Sequence, residues 1–254
     1  MISERDIMGG LAKGLAVIEP FSAERPRQSI AQVAEASALD RAPARRCLLT
    51  LAHHGYADYD GKFFTLTPRV LRLGTACLAT MPLPQIVQPL LDELSEQIGQ
   101  SSSVSILDGD EIVYVARAAQ RKVISIALMP GSRLPAYCTS MGRVLLAALP
   151  EDQARGLLEG RALPARTPRT LTSAGAIMAQ LAVIRAQGFA VIDQEVESGL
   201  CSIAVPLANA RGQVAAAVNI GVSGFDMPAD RLAAEYLPAL RDLQQRLVGM
   251  PGRF

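Results

Sequence analysis

Three sets of residues in this chain have the types and spacing to do chemistry. The stretch LDRAPARRCLLTLAHHGY, residues 39–56, carries Arg41, Arg45 and Arg46, followed by His53 and His54, the only two histidines in the chain. Asp193, Glu195 and Glu197 form an alternating acidic run, and RLPAYCTSMGR, residues 133–143, is a polar segment that runs into a helix start. The histidines are poor metal or acid–base candidates, because neighbours on a helix point about 100° apart and no HExxH spacing surrounds them. They read as a packed or solvent-facing helix end. The acidic run reads as the solvated edge of a strand and turn, since no GxSxG elbow, phosphate loop or dinucleotide fingerprint accompanies it. With no histidine after position 54, a Ser–His or Cys–His nucleophile is hard to build in the rest of the chain.

The other two sets point to binding. Arginine pairs bidentately with guanine, and the first turns of the second helix of a helix-turn-helix reach base edges while the flanking helix and wing take phosphates. This makes Arg41, Ala42, Arg45 and Arg46 candidate DNA contacts, with Lys62 at a hairpin tip and Ser29 near a helix start as further ones. A helix start also presents unpaired N–H groups and the positive end of a dipole, which suits an organic carboxylate. Thr139, Ser140 and Met141 occupy such a start, and the chemistry of Arg133 and Tyr137 adds them to that candidate site.

The elements around these residues follow from pattern. Leu11, Leu15 and Ile18 at helical spacing predict a first helix, and SAERPR reads as a polar connector. Ser29 caps a short helix with Ile30, Val33 and Ala34 inward. Asp40 caps the next, where Pro43 is the third helical residue and lacks an N–H that had no helical partner anyway. Ala44, Cys47, Leu48 and Leu51 form its buried stripe and turn the arginines outward. YADYDGKFFTL, centred on Asp60-Gly61, predicts a two-stranded wing. A helix over 68–80 leads out, and MPLP at 81–84 marks a boundary. Beyond it the pattern predicts a helix over 84–99, strands around Asp108-Gly109-Asp110, a strand KVISIAL at 122–128 and a helix from Thr139 to Leu149. A helix ending at Gly188, the strands FAVID, CSIAVPLA and VAAAVNIGV, and a closing helix complete the chain.

Composition bounds the reading. Half the residues are hydrophobic and 19% are charged, which supports a globular core and excludes a disordered chain. A net charge of +1 requires any nucleic-acid site to be a local patch. Residues 1–75 hold ten Lys and Arg against eight Asp and Glu, and the rest fifteen against sixteen, a split of +2 and −1. Cys47, Cys77, Cys138 and Cys201 are scattered without CxxC pairs, as in a reducing cytoplasm. No signal segment and no uncharged apolar run of about 18 residues is evident, so a cytoplasmic protein without membrane contact is expected.

Five segments in this order resemble the IclR family of bacterial transcriptional regulators: MGGLAKGLAVIEPF, LDRAPARRCLLTLAHHGY, GKFFTLTPRVLRLG, GSRLPAYCTSMGRVLLA and IDQEVESGLCSIAVPL. The opening and the DQE…GL.SIAVP pattern are most similar to the subgroup governing protocatechuate, β-ketoadipate and 4-hydroxybenzoate catabolism. The resemblance implies an α+β protein with a winged helix-turn-helix over 8–67, a linker helix over 68–82 and a GAF-like effector domain with an antiparallel sheet over 83–252. By motif position it places Ser140, Met141, Asp193, Ser202, Asn219 and Gly221 at the effector. It departs at Cys201, where that subgroup usually shows arginine, and at Asn219 and Gly221, which replace serines of other members. The implied partners are double-stranded operator DNA and a small carboxylate of the protocatechuate, 4-hydroxybenzoate or β-ketoadipate type, bound by a homodimer or a dimer of dimers, with no cofactor. The rival reading is a small-molecule enzyme or sensor built on the same C-terminal domain.

Overall fold

A computed structural model describes residues 3–22, 24–120 and 128–248. The chain divides into two compact units, 1–77 and 78–254.

The first unit packs three helices on a small sheet. Helix α1 (Gly9–Ala16) buries none of its own residues, and the core contact comes from Val17 just beyond it. Leu11 and Leu15 are exposed, while Ile18 lies in the turn after the helix and not within it. Helix α2 (Ile30–Ala36) starts at a capping box in which the Ser29 hydroxyl faces the Gln32 N–H and the Gln32 side chain accepts from the Ser29 N–H at 2.9 Å. Helix α3 (Arg41–His53) begins after Asp40 and accommodates Pro43 as expected, burying Ala44 and Leu48. Ala38, in a left-handed conformation at φ 52°, turns the chain between α2 and α3.

Two expectations for the wing are corrected. Strand β1 (Arg27–Ser29) pairs with β3 (Phe63–Leu66), which pairs with β2 (Ala57–Tyr59), so the wing has three strands. The polar connector concealed β1 because a three-residue edge strand with mixed burial has no readable alternation. The hairpin tip also sits one residue later than Asp60-Gly61. Asp60 N–H donates to the Phe63 carbonyl at 3.2 Å, leaving Gly61 and Lys62 at the tip with Gly61 at φ 100°. The Asp60 carboxylate accepts from the Lys62 and Phe63 N–H groups at 2.9 and 2.8 Å. These bonds, first that from Phe63, with help from Arg27, hold its carboxyl well below the usual range. A 3-10 turn (Pro68–Val70) and helix α4 (Leu71–Thr80) follow.

In the second unit, helix α5 (Pro82–Ile98) starts two residues before the expected position, since Pro82 and Pro84 are tolerated in a first turn. A six-stranded antiparallel sheet follows, made of β4 (Ser101–Asp108), β5 (Glu111–Ala118), β6 (Arg133–Pro135), β7 (Ala190–Asp193), β8 (Leu200–Ala208) and β9 (Val214–Ser223), in the order β6-β5-β4-β9-β8-β7. Helices α5 and α9 (Leu232–Val248) cover one face, with Leu91, Val104, Val218 and Leu240 in the core between them. Helices α6 (Ser140–Ala148), α7 (Glu151–Leu158) and α8 (Ala174–Gln187) cover the other, over Ile112, Leu146, Ile177 and Leu181. Strand β6 and helix α7 were not anticipated. Of the expected strand KVISIAL, residues 122–127 lie outside the described residues, and Leu128 is not in a strand. Among the described residues, no single helix is long and apolar enough to cross a membrane.

Candidate functional site

On the first unit, Arg41, Arg45 and Arg46 stand exposed along the first turns of α3 beside exposed Ala42. Among the described residues, none of the three guanidinium groups takes part in a hydrogen bond or ion pair. At the wing, the Lys62 ammonium lies 5.1 Å from the Phe63 ring centre, and the Arg27 guanidinium covers the same ring at 4.3 Å. Arg27 also pairs with Asp60. It escaped the sequence reading together with its strand. The Ser29 hydroxyl is committed to its cap. His53 and His54 are exposed, with ring centres 5.0 Å apart in an edge-on arrangement, and among the described residues they belong to no cluster of ligating groups.

In the second unit, a cleft lies between the start of α6 and the sheet face formed by β5, β4, β9 and β8. It brings together Thr139, Ser140, Met141, Ser202, Asn219 and Gly221 from three segments distant in sequence. Register explains the meeting. Arg117 pairs with Ser103, and Ser103 with Asn219, so these three form one row across the sheet, while Ser101, Gly221 and Ser202 form another. The small serines of β4 leave room beneath the helix. The Thr139 hydroxyl caps α6 by accepting from the Gly142 N–H at 3.1 Å, leaving the N–H groups of Ser140 and Met141 as the unpaired donors of that end. Ser202 donates to Ser140 Oγ at 2.9 Å, and Ser105 to Met141 Sδ at 3.2 Å, tying the helix start to the floor.

Three expected residues lie elsewhere. Arg133 is exposed and bridges Asp108 at 2.9 Å and Glu111 at 2.7 Å, so its charge is already matched. Tyr137 points to a separate cavity, its hydroxyl donating to the Pro164 carbonyl at 2.5 Å. Asp193 pairs with Arg169 and accepts from the Cys201 thiol at 3.3 Å, outside the cleft lining. In each case a local charge or hydrogen-bond partner turns the side chain away.

The residue that sequence reasoning missed is Arg117. It lines the cleft, donates from Nη1 to Ser103 Oγ at 2.9 Å, and keeps a buried Nε with no partner among the described residues. Burial opposes its charge and lowers its pKa. Across the row, the buried Oδ1 of Asn219 likewise has no partner among the described residues. An orphaned donor on a cation and an orphaned acceptor in one cleft are rare in a finished core, where buried polar groups are almost always paired. No motif marks Arg117, because its place in the cleft arises from strand pairing. Below the cleft, Arg143 is buried and paired, with Nη2 to Glu195 at 2.6 Å and Nε to the Tyr137 carbonyl at 2.8 Å. The cleft is narrow, with a volume of about 40 Å³, room for water and too little for a benzene ring.

The chain matches two family models: the IclR helix-turn-helix domain over residues 10–61 and the bacterial transcriptional regulator IclR C-terminal domain over residues 75–247. It is 45% identical to the Pca regulon regulatory protein of Pseudomonas putida, over 96% of this chain and 86% of that one. It is 36% identical to the p-hydroxybenzoate hydroxylase transcriptional activator of Acinetobacter baylyi, over 97% and 93%. A double mutant of the PobR inducer-binding domain from Acinetobacter, solved with 3-hydroxybenzoic acid, is similar with a TM-score of 0.61 and 31% identity, over 66% of this chain and 98% of that one. With both units matched in order, the chain belongs to the IclR family of bacterial transcriptional regulators.

Proposed function

We propose that this regulator controls genes of aromatic-acid catabolism, binding operator DNA through α3 and the wing and a hydroxybenzoate-type carboxylate in the cleft beneath α6. The observation that carries the reading is the pair of orphaned polar atoms, Arg117 Nε and Asn219 Oδ1, facing a cleft closed by unpaired helix-start N–H groups. A carboxylate at Arg117 gains a charge-assisted hydrogen bond, and a ring hydroxyl has an acceptor in Asn219. The names of the relatives support this ligand class: one activates p-hydroxybenzoate hydroxylase, another regulates a Pca regulon, and a related domain was solved with 3-hydroxybenzoic acid.

A ring enters only if the walls part. Met141, unbranched and flexible, and Leu200 are the side chains able to yield. A ligand that separates α6 from the sheet binds one conformation better than the other, which is what a switch requires. On the first unit, the unpaired arginines of α3 reach base edges, while Lys62 and Arg27 at the wing take phosphates. Dimerisation through exposed Leu11 and Leu15 and the exposed Leu71 and Leu73 of α4 supplies the second half-site.

A non-catalytic role fits the thiols. Burial raises Cys138 to about 11 and Cys201 to about 12, holding both protonated and unreactive at neutral pH. The test is thermal unfolding with 4-hydroxybenzoate, protocatechuate and β-ketoadipate. At about 100 times Kd, linkage gives about 2.7 kcal/mol, or roughly 5–10 °C. No shift with any of the three at millimolar concentration rejects the ligand class.

A further inference from the structure

We infer that the second unit holds another small-molecule site, separate from the cleft, that takes a small neutral aromatic carrying a hydroxyl donor, of the phenol type. A half-open cavity of about 170 Å³ lies between Tyr137, the Leu146 side of α6, and Leu157 and Leu158 of α7. It is preformed and larger than the cleft, and a cavity of about 150 Å³ lined by apolar groups accepts benzene. Leucines and the Tyr137 ring make its floor and wall.

The rim sets the chemistry. Asp110 and Glu111 line it, and among the described residues no cation does except through the arginines paired to them. One oxygen of Asp110 accepts from Arg161 at 2.6 Å and one of Glu111 from Arg133 at 2.7 Å. The second oxygen of each has no partner among the described residues. Two carboxylates with spare lone pairs accept a hydroxyl, and because the arginines beside them are already matched, an aromatic acid gains no free cation there. The class bound here is therefore distinct from the carboxylates assigned to the cleft.

The two sites share the 136–143 segment. Tyr137 walls the cavity, while Thr139, Ser140 and Met141 wall the cleft. The segment has no slack: a Cβ on Gly142 would fall 2.2 Å from the Ala136 carbonyl oxygen, and Arg143 Nε holds the Tyr137 carbonyl at 2.8 Å. A ligand pressing on Tyr137 thus moves the start of α6. That coupling rests on the cleft being the effector site; binding in the cavity does not.

Ligand-observed NMR on the full chain, with phenol as probe, tests this. Phenol is expected to bind with a roughly millimolar Kd and to shift the 4-hydroxybenzoate affinity about fivefold. Ala162→Trp, at an exposed rim position, should remove phenol binding at least tenfold, and Leu157→Phe should weaken it in the same direction. Ser140→Trp, in the cleft, should move it by no more than the reciprocal coupling of about fivefold. Phenol binding that survives Ala162→Trp, disappears in Ser140→Trp, or is matched by benzoate overturns the assignment, as does no binding at about 10 mM. If phenol binds as expected but no hydroxybenzoate binds in the cleft, the effector reading fails and this one stands. Phenol bound with no change in 4-hydroxybenzoate affinity overturns the coupling.

Discussion

The two units carry their cations in opposite ways. On α3, Arg41, Arg45 and Arg46 are exposed and none is paired among the described residues, so removing them costs the fold little. In the second unit, Arg143 of α6 is buried and matched to Glu195, and Arg117 is half-buried with one donor that has no partner among the described residues. A free surface cation is available to a partner outside the chain at little cost to the fold, whereas a buried cation requires a partner inside it. Arg143 has its partner and belongs to the architecture. Arg117 lacks part of its own among the described residues, and in the function proposed above a ligand supplies it.

This comparison is open to breaking. Arg45→Ala with Arg46→Ala should weaken specific DNA binding by roughly 2–6 kcal/mol, from two base contacts of about 1–3 kcal/mol each. The melting temperature should hold, and fluorescence anisotropy with an operator fragment reads the affinity. Retained affinity with unchanged salt dependence removes α3 from the interface. Glu195→Ala should have the reverse signature. Leaving Arg143 as a buried, uncompensated charge should cost about 3–5 kcal/mol of stability in chemical denaturation, and Arg143→Met with Glu195→Leu should recover much of it. A small loss in Glu195→Ala alone shows the pair to be dispensable.

Arg117→Met separates the half-buried Arg117 from the fully buried Arg143. Loss of a charge-assisted hydrogen bond should weaken hydroxybenzoate binding by about 1.5–3 kcal/mol, roughly 10- to 150-fold. Removing a half-paired cation should leave stability within about 1 kcal/mol. Calorimetric titration and denaturation of one variant measure both.

The expected pH effect is smallest. The folded pKa of Asp60 lies below its unfolded value, so its contribution to the wing is present above about pH 4, the unfolded pKa. It is lost as pH falls through the lower, folded pKa. Carboxyl NMR should show Asp60 titrating below the other exposed aspartates, and Asp60→Asn should abolish that acid dependence. Titration at an ordinary aspartate pKa contradicts the hydrogen bonding of the hairpin tip.

The two regions also differed in how far they could be read before folding. Helix α3 was legible because its signals are local: Asp40 at the N-cap position, although its side chain makes no cap hydrogen bond, a tolerated Pro43 and a stripe of Ala44 and Leu48 that turns the arginines outward. The start of α6 was legible for the same reason, through Thr139. Arg117 was not, because its neighbours Ser103 and Asn219 reach it only through the register of β5, β4 and β9. Arg133, Tyr137 and Asp193 carried suitable chemistry but were claimed by Glu111, Pro164 and Arg169, partners that no spacing reveals. Strand β1, and Arg27 with it, went unread because three residues are too few to show a period.

The central claim is that a carboxylate held at Arg117 alters what the arginines of α3 do. It is tested by titrating operator DNA into wild-type and Arg117→Met protein, with and without saturating 4-hydroxybenzoate. The account predicts that the ligand changes the operator affinity of the wild type by about fivefold or more, and leaves the variant unchanged. An equal ligand response in both proteins, or none in the wild type, contradicts it.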